Sequence, residues 1–204
     1  MAGFHRVRPH RHSEPISFMK LLFPLLLIST AMGCASPEPE QSFHPNAPRI
    51  QSPDPIIYLA DNLDEQDQLG FCIDTDGKGF SDSLQVHSCK PNGDDVLFYY
   101  DRETQQICSA TYPGFCAAML GGPQVGMTIS LVESDPESPD QKFGYDDATG
   151  EFWPTESESL CLAAGSESDD AGPYMSRTLS LQPRASIDKR LKTWVVRGAE
   201  TQAY

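Results

Sequence analysis

Apolar residues in this chain recur at every second position over short runs, broken by Gly, Pro, Asp and Ser. That alternation predicts half-buried strands, and no stretch has the periodicity of an amphipathic helix. Leu84 and Val86, Ile129 and Leu131, and Leu179 and Leu181 carry the period. The runs themselves repeat. Phe71-Cys72-Ile73-Asp74 returns as Phe115-Cys116-Ala117-Ala118 after 44 residues, and as Leu160-Cys161-Leu162-Ala163 after a further 45. Each copy is followed by one of the alternating runs and closes on a bulky aromatic: Phe98, Phe143 or Trp194. Two exits also align at an offset of 45, Tyr100-Asp101 through Ile107 and Tyr145-Asp146 through Phe152.

A repeat of this size describes units that bury their apolar faces only against one another. Four strands are predicted in each. The first unit takes 56–58, 71–73, 84–87 and 96–99, and the second takes 106–108, 115–117, 128–131 and 141–143. The third takes 151–153, 160–162, 178–181 and 192–195. Closing such strands into a barrel removes the edges that invite aggregation, and the three aromatics are expected to fill its interior. The expected fold class is all-β, with three four-stranded repeats about a pseudo-threefold axis. The domain is expected to span 56–197, leaving 198–204 as a flexible tail.

The region before the repeats reads as an address and a tether. Lys20 and an apolar run from Leu21 to Thr30 end in Ala31-Met32-Gly33-Cys34. This is a secretory signal, too short to span a bilayer, and translation is expected to begin at Met19. The tetrapeptide resembles a bacterial lipobox, which implies lipidation of Cys34 and a membrane anchor. Ordinary signal cleavage nearby, with Cys34 left as a thiol, is the alternative. Ala35, in place of Asp, favours the outer membrane or cell surface by analogy with such lipoproteins. Residues 35–55 hold Pro37, Pro39, Pro45, Pro48, Pro53 and Pro55, a density that predicts an extended spacer.

Charge narrows the partners. The chain has 15 basic and 29 acidic residues; four of the former and one of the latter precede Cys34, so the remainder carries a net charge of −17. Nucleic acid requires the opposite sign. Most of the acid surplus lies in Ser-rich loops, where it is expected to be solvated. In an oxidising compartment, Cys72 and Cys89, which bracket one repeat, are expected to form a disulfide. Cys108 and Cys116, flanking the turn Thr111-Tyr112-Pro113-Gly114, are expected to form another. Cys161 remains as a buried thiol.

The plan resembles the ricin B-type lectin family, a β-trefoil, over roughly Pro55 to Arg197. Cys72-Ile73-Asp74 is similar to the family's Cys-Leu-Asp, and Gln85-Val86-His87-Ser88-Cys89 to its Gln and aromatic before a second Cys. Gln141-Lys142-Phe143 is similar to its Gln-x-Trp, and the segments ending at Phe98 and Trp194 are degraded versions. The resemblance implies glycan binding with no cofactor. Carried over residue by residue, it implies one site in the first unit formed by Asp74, Gln85, His87 and Asp95. Asp74 would be the acceptor for sugar hydroxyls, since a charged acceptor makes the stronger hydrogen bond. His87 stands where the family has a stacking aromatic. Ala118 and Ala163 occupy the Asp74 position in the other units and cannot accept a hydroxyl.

Three alternatives stay open at Asp74. It can serve only as a turn residue before Thr75-Asp76-Gly77. The run Asp74 to Gly79 has some likeness to a calcium loop, but Lys78 stands where that pattern needs an acid. Finally, the trefoil can be a scaffold whose loops contact another envelope protein, with no sugar bound. Catalysis is not expected: after the signal only His44 and His87 remain, with neither a nucleophile elbow nor a zinc-spaced cluster.

Overall fold

The computed structural model describes residues 46–198. The expected signal and lipobox (1–34, with Cys34), the first part of the tether and residues 199–204 lie outside the described residues. The first unit comprises β1 (Ile56–Leu59), β2 (Phe71–Thr75), β3 (Leu84–Ser88) and β4 (Phe98–Asp101). The second comprises β5 (Gln106–Ser109), β6 (Phe115–Ala118), β7 (Ser130–Glu133) and β8 (Phe143–Asp146). The third comprises β9 (Glu151–Pro154), β10 (Leu160–Ala164), β11 (Asp169–Ala171), β12 (Tyr174–Pro183) and β13 (Trp194–Arg197).

Pairing shows how the units close. The fourth strand of each unit runs antiparallel to the first strand of the next: β4 with β5, β8 with β9, and β13 back to β1. The middle strands form hairpins, β2–β3, β6–β7 and β10–β12. Around the axis, the third strands of all three units touch: Gln85 pairs with Thr178, Ser83 bridges Ser130, and Thr128 bridges Ser180. A barrel of first and fourth strands capped by three hairpins is the β-trefoil, the fold of R-type lectins. Its core is the alternating set: Leu84, Val86, Ile129, Leu131, Leu179 and Leu181 are buried together with Phe98, Phe143 and Trp194.

The strands depart from the sequence reading in two places. One turn of 3₁₀ helix precedes each fourth strand, at Asp94–Val96, Pro139–Gln141 and Lys189–Leu191, where the strands were expected to begin. The chain has to swing from a cap hairpin into the barrel there, and a 3₁₀ turn makes that bend in few residues. The second departure is an insertion. β12 is extended toward its N-terminal end and pairs with β11 through Ala171–Tyr174, Asp170–Met175 and Asp169–Ser176. This hairpin exists only in the third unit.

Local chemistry accounts for the shared Tyr-Asp exits. The Asp101 carboxylate accepts from the Glu103 and Thr104 amides at 2.8 and 3.1 Å, and Asp146 accepts from the Ala148 amide at 2.8 Å. Each Asp thereby closes the turn joining two barrel strands. Gly150 ends the second of these turns with φ +70°, and a Cβ there would lie 2.7 Å from the Trp194 carbonyl oxygen. Only glycine meets both demands.

Residues 46–55, read from sequence as the end of the tether, lie along the domain. The Arg49 amide donates to the Gln68 carbonyl at 2.6 Å, the Ser52 hydroxyl to the Lys90 carbonyl at 2.7 Å, and Ile50 packs on Ile56, Cys72, Cys89 and Val96. The six prolines in 35–55 show where a helix cannot form, but not where the chain finds hydrogen-bond partners. Two disulfides join Cys72 to Cys89 and Cys108 to Cys116, while Cys161 is a buried thiol. The first closes a loop with a sequence separation of 17, which restricts the unfolded chain by about 3 kcal/mol.

Candidate functional site

The first unit carries a cavity of about 700 Å³ open to solvent. Three segments bound it: the β2–β3 turn from Asp76 to Gly79, the 3₁₀ turn with Asp94 and Asp95, and the β11–β12 hairpin with Ala171, Pro173, Tyr174 and Ser176. Gln85, His87 and Lys90 also line it. Three of the four residues expected to form a sugar site therefore share one concavity.

Gln85 lies on β3, the hairpin strand nearest the opening; its amide Nε2 donates to the Thr75 carbonyl at 3.1 Å, leaving Oε1 as an acceptor. His87 Nδ1 lies 3.0 Å from the Ser88 carbonyl oxygen, so this nitrogen carries the proton and Nε2 is the acceptor of the neutral ring. Burial holds the His87 pKa below the usual histidine value, so the ring is neutral at pH 7. Asp95 accepts from the Tyr112 hydroxyl at 2.7 Å and from the Gly79 amide at 3.4 Å. The second unit repeats that last contact, with the Gly121 amide 3.3 Å from Asp140. One task of Asp95 is thus to clamp its own hairpin loop, whatever else it binds.

Asp74 is placed differently from the expectation. It is fully buried and does not line the cavity. Lys90 Nζ donates to its Oδ2 at 2.9 Å, and His87 Nδ1 is 3.8 Å from the same oxygen, while Oδ1 has no hydrogen-bond partner. Burial pushes the Asp74 carboxyl up to about 6; Lys90 opposes the shift and Asp95 adds to it. The alternating pattern put Asp74 on a hairpin strand, but whether the carboxylate faces sugar or amine depends on Lys90, sixteen positions away. In this structure it faces the amine, and Asp74 is the floor beneath His87 and Lys90.

Two residues of the cavity were missed in the sequence. Lys90 follows Cys89 directly, and its Nζ also approaches Asp95 at 3.7 Å, so one ammonium ties the floor to the wall. Tyr174 comes from the inserted hairpin, and its ring meets His87 edge-on with centroids 5.4 Å apart. A signal for the insertion existed: 16 residues separate Leu162 from Leu179, against 10 between Ile73 and Leu84 and 11 between Ala117 and Ile129. The hairpin is fixed by Arg177, buried under Gly165 and Ser166, whose carbonyls it bonds at 2.7 and 2.8 Å; it also pairs with Asp64. Its guanidinium lies over the Phe71 ring at 4.9 Å.

The other units offer no counterpart. Ala118 and Ala163 are buried at the Asp74 position, and Val132 and Gln182 stand where His87 does. No group of three or more His, Cys, Asp or Glu with metal-binding geometry occurs among the described residues.

A β-trefoil with an open cavity of about 700 Å³ beside the hairpin of its first repeat is therefore the class these features define. Three solved structures are similar to this chain. The mdaA-1 domain is 17% identical, with a TM-score of 0.52, over 74% of this chain and 97% of its own. The β-trefoil lectin of the Vibrio vulnificus hemolysin/cytolysin, solved with N-acetyl-D-lactosamine, is 11% identical with a TM-score of 0.48, covering 73% of this chain and 96% of its own. The C-half of the earthworm R-type lectin, solved with GalNAc, is 14% identical with a TM-score of 0.47, covering 70% and 98%. No sequence family matches this chain, and no curated protein is similar to it in sequence.

Proposed function

We propose that the domain is a carbohydrate-binding module with one weak sugar site in its first repeat, on an exported protein held to a membrane through lipidated Cys34. The observation that carries this reading is the convergence of Gln85, His87, Asp95 and Tyr174 on one open cavity. Gln85 Oε1, His87 Nε2 and the Asp95 carboxylate supply acceptors for sugar hydroxyls, and the Lys78 and Lys90 ammonium groups supply donors. Tyr174 supplies the flat apolar face that His87 alone lacks. Asp74 acts from below, holding Lys90 rather than touching sugar. Binding of this kind needs no bond to be broken.

A glycan array tests it, with GalNAc and N-acetyl-D-lactosamine as first probes because similar folds were solved with them. The wild-type domain is expected to bind a subset of glycans, and His87→Ala and Gln85→Ala to lose about tenfold or more in affinity, the worth of one good polar contact. Equal signal from all three proteins would remove the site. The burial of Asp74 favours a second reading, a trefoil scaffold whose loops contact an envelope protein. A blank array together with a crosslink from the cavity rim to such a protein would support it.

Two disulfides fit an oxidising, extracytoplasmic setting, and no helix among the described residues is long and apolar enough to cross a membrane. Acyl chains on Cys34 add about 0.8 kcal/mol for each methylene buried, so several would hold the protein firmly. Radiolabelled palmitate should enter the wild type and be lost in Cys34→Ser; label retained in that variant would end the anchor.

A further inference from the structure

Beside the cavity lies a surface that the single-sugar reading leaves unused. Phe80 is 51% exposed, one of three large hydrophobic side chains so exposed among the described residues. Its ring is held in place: it meets Tyr112 edge-on at a centroid distance of 5.3 Å and Phe115 at 4.8 Å. The cluster is wired directly to the cavity. Tyr112 donates to Asp95 at 2.7 Å, Gly79 next to Phe80 lines the cavity, and Thr111 next to Tyr112 does so too. An aromatic ring exposed at a loop tip, yet fixed by two others, forgoes core burial and gains rigidity, the properties of a stacking platform rather than of a packing residue.

We propose that Phe80, with Tyr112 and Phe115 behind it, is a second subsite that stacks the neighbouring residue of a neutral oligosaccharide whose terminal sugar occupies the cavity. The inference rests on the reading of the cavity as a sugar site. Continuity selects the occupant, because the shared Asp95–Tyr112 bond puts the platform next to the cavity wall. Charge selects its class. Asp76, Asp94 and Asp95 line the cavity against Lys78 and Lys90, and Asp74 lies beneath them, so a uronic or sialic acid would meet net repulsion. A pyranose presents an apolar C–H face to such a ring, and Tyr112 Oη can still accept a hydroxyl bond while donating to Asp95.

The test compares ligand length. Glucose, galactose, N-acetylglucosamine and GalNAc, with N-acetyl-D-lactosamine and the neutral di- and tetrasaccharides built from each, are titrated against the full chain by NMR. For whichever sugar binds, the disaccharide should bind about tenfold more tightly than the monosaccharide, the gain of one well-placed stacking contact. Phe80→Ala should erase that gain and leave monosaccharide affinity unchanged, while Phe80→Tyr should keep it. If Phe80→Ala binds the disaccharide as the wild type does, the subsite is overturned and the cavity reading stands. If no sugar of the panel binds the wild type, the cavity reading fails and the subsite with it. If sugar affinities are unchanged but Phe80→Ala abolishes a self-association seen by sedimentation, the patch belongs to a second copy of the chain, which also overturns the subsite.

Discussion

Replacing Lys90 by Met is expected to destabilise the domain by about 2 kcal/mol at pH 7, about twice its cost at pH 4, because it strips a buried carboxylate of its partner and drives Asp74 to keep its proton. Asp74 is fully buried, and Lys90 Nζ at 2.9 Å is its closest counter-charge. The loss should depend on pH in a defined sense. The Asp74 carboxyl stands at about 6 in the folded protein, against about 3.9 in an unfolded chain. Between those values the native state binds the proton and the unfolded state does not, so stability falls as pH rises from about 4 to 6. At pH 4 Asp74 is protonated and Lys90→Met should cost only the side chain's packing, about 1 kcal/mol.

Asp74→Asn is the control. It should gain stability above pH 6, flatten the profile between pH 4 and 6, and reduce a subsequent Lys90→Met to its packing cost of about 1 kcal/mol at both pH values, since Lys90 then retains only Asp95 at 3.7 Å. Urea midpoints at pH 4 and pH 7 for the four proteins of this cycle measure all of it. A Lys90→Met loss of the same size at both pH values, or in both backgrounds, would show that the carboxylate is not what the lysine supports.

Trp194→Ala should lower stability by about 3–5 kcal/mol, the range for truncating a buried large aromatic. Trp194 is buried in the barrel; its Nε1 donates to the Leu162 carbonyl at 2.9 Å and its own carbonyl accepts from the Tyr145 hydroxyl at 3.0 Å. It also begins the strand that returns to β1 through the Leu59–Trp194 pair, which closes the barrel. Trp194→Phe separates the contributions: it keeps most of the apolar volume and loses one buried hydrogen bond, expected at about 1–2 kcal/mol. Circular dichroism against urea reads both. An alanine variant no less stable than the phenylalanine variant would contradict the packing account.

Much of this fold was readable along the chain because its information is local and repeated. Leu84 and Val86, Ile129 and Leu131, and Leu179 and Leu181 each declare a strand within a few residues, and the 44- and 45-residue spacing of Cys72, Cys116 and Cys161 declares the threefold. All twelve expected strands are found, the fourth strand of each unit displaced by two residues behind its 3₁₀ turn and the third strand of the second unit displaced by two as well. The candidate site divided along the same line. Gln85, His87 and Asp95 share the cavity since one hairpin and the turn after it carry all three.

What the linear order could not convey is which distant groups meet in space. Asp74 points at Lys90 instead of at the opening, residues 46–55 run along the domain instead of away from it, and Tyr174 reaches His87 from 87 positions downstream. Periodicity reports which face of a strand is dry, a property of neighbours in sequence. The partner that a buried charge finds is set by how the chain folds back after its hairpin, and the ring that reaches His87 by where the third unit packs against the first.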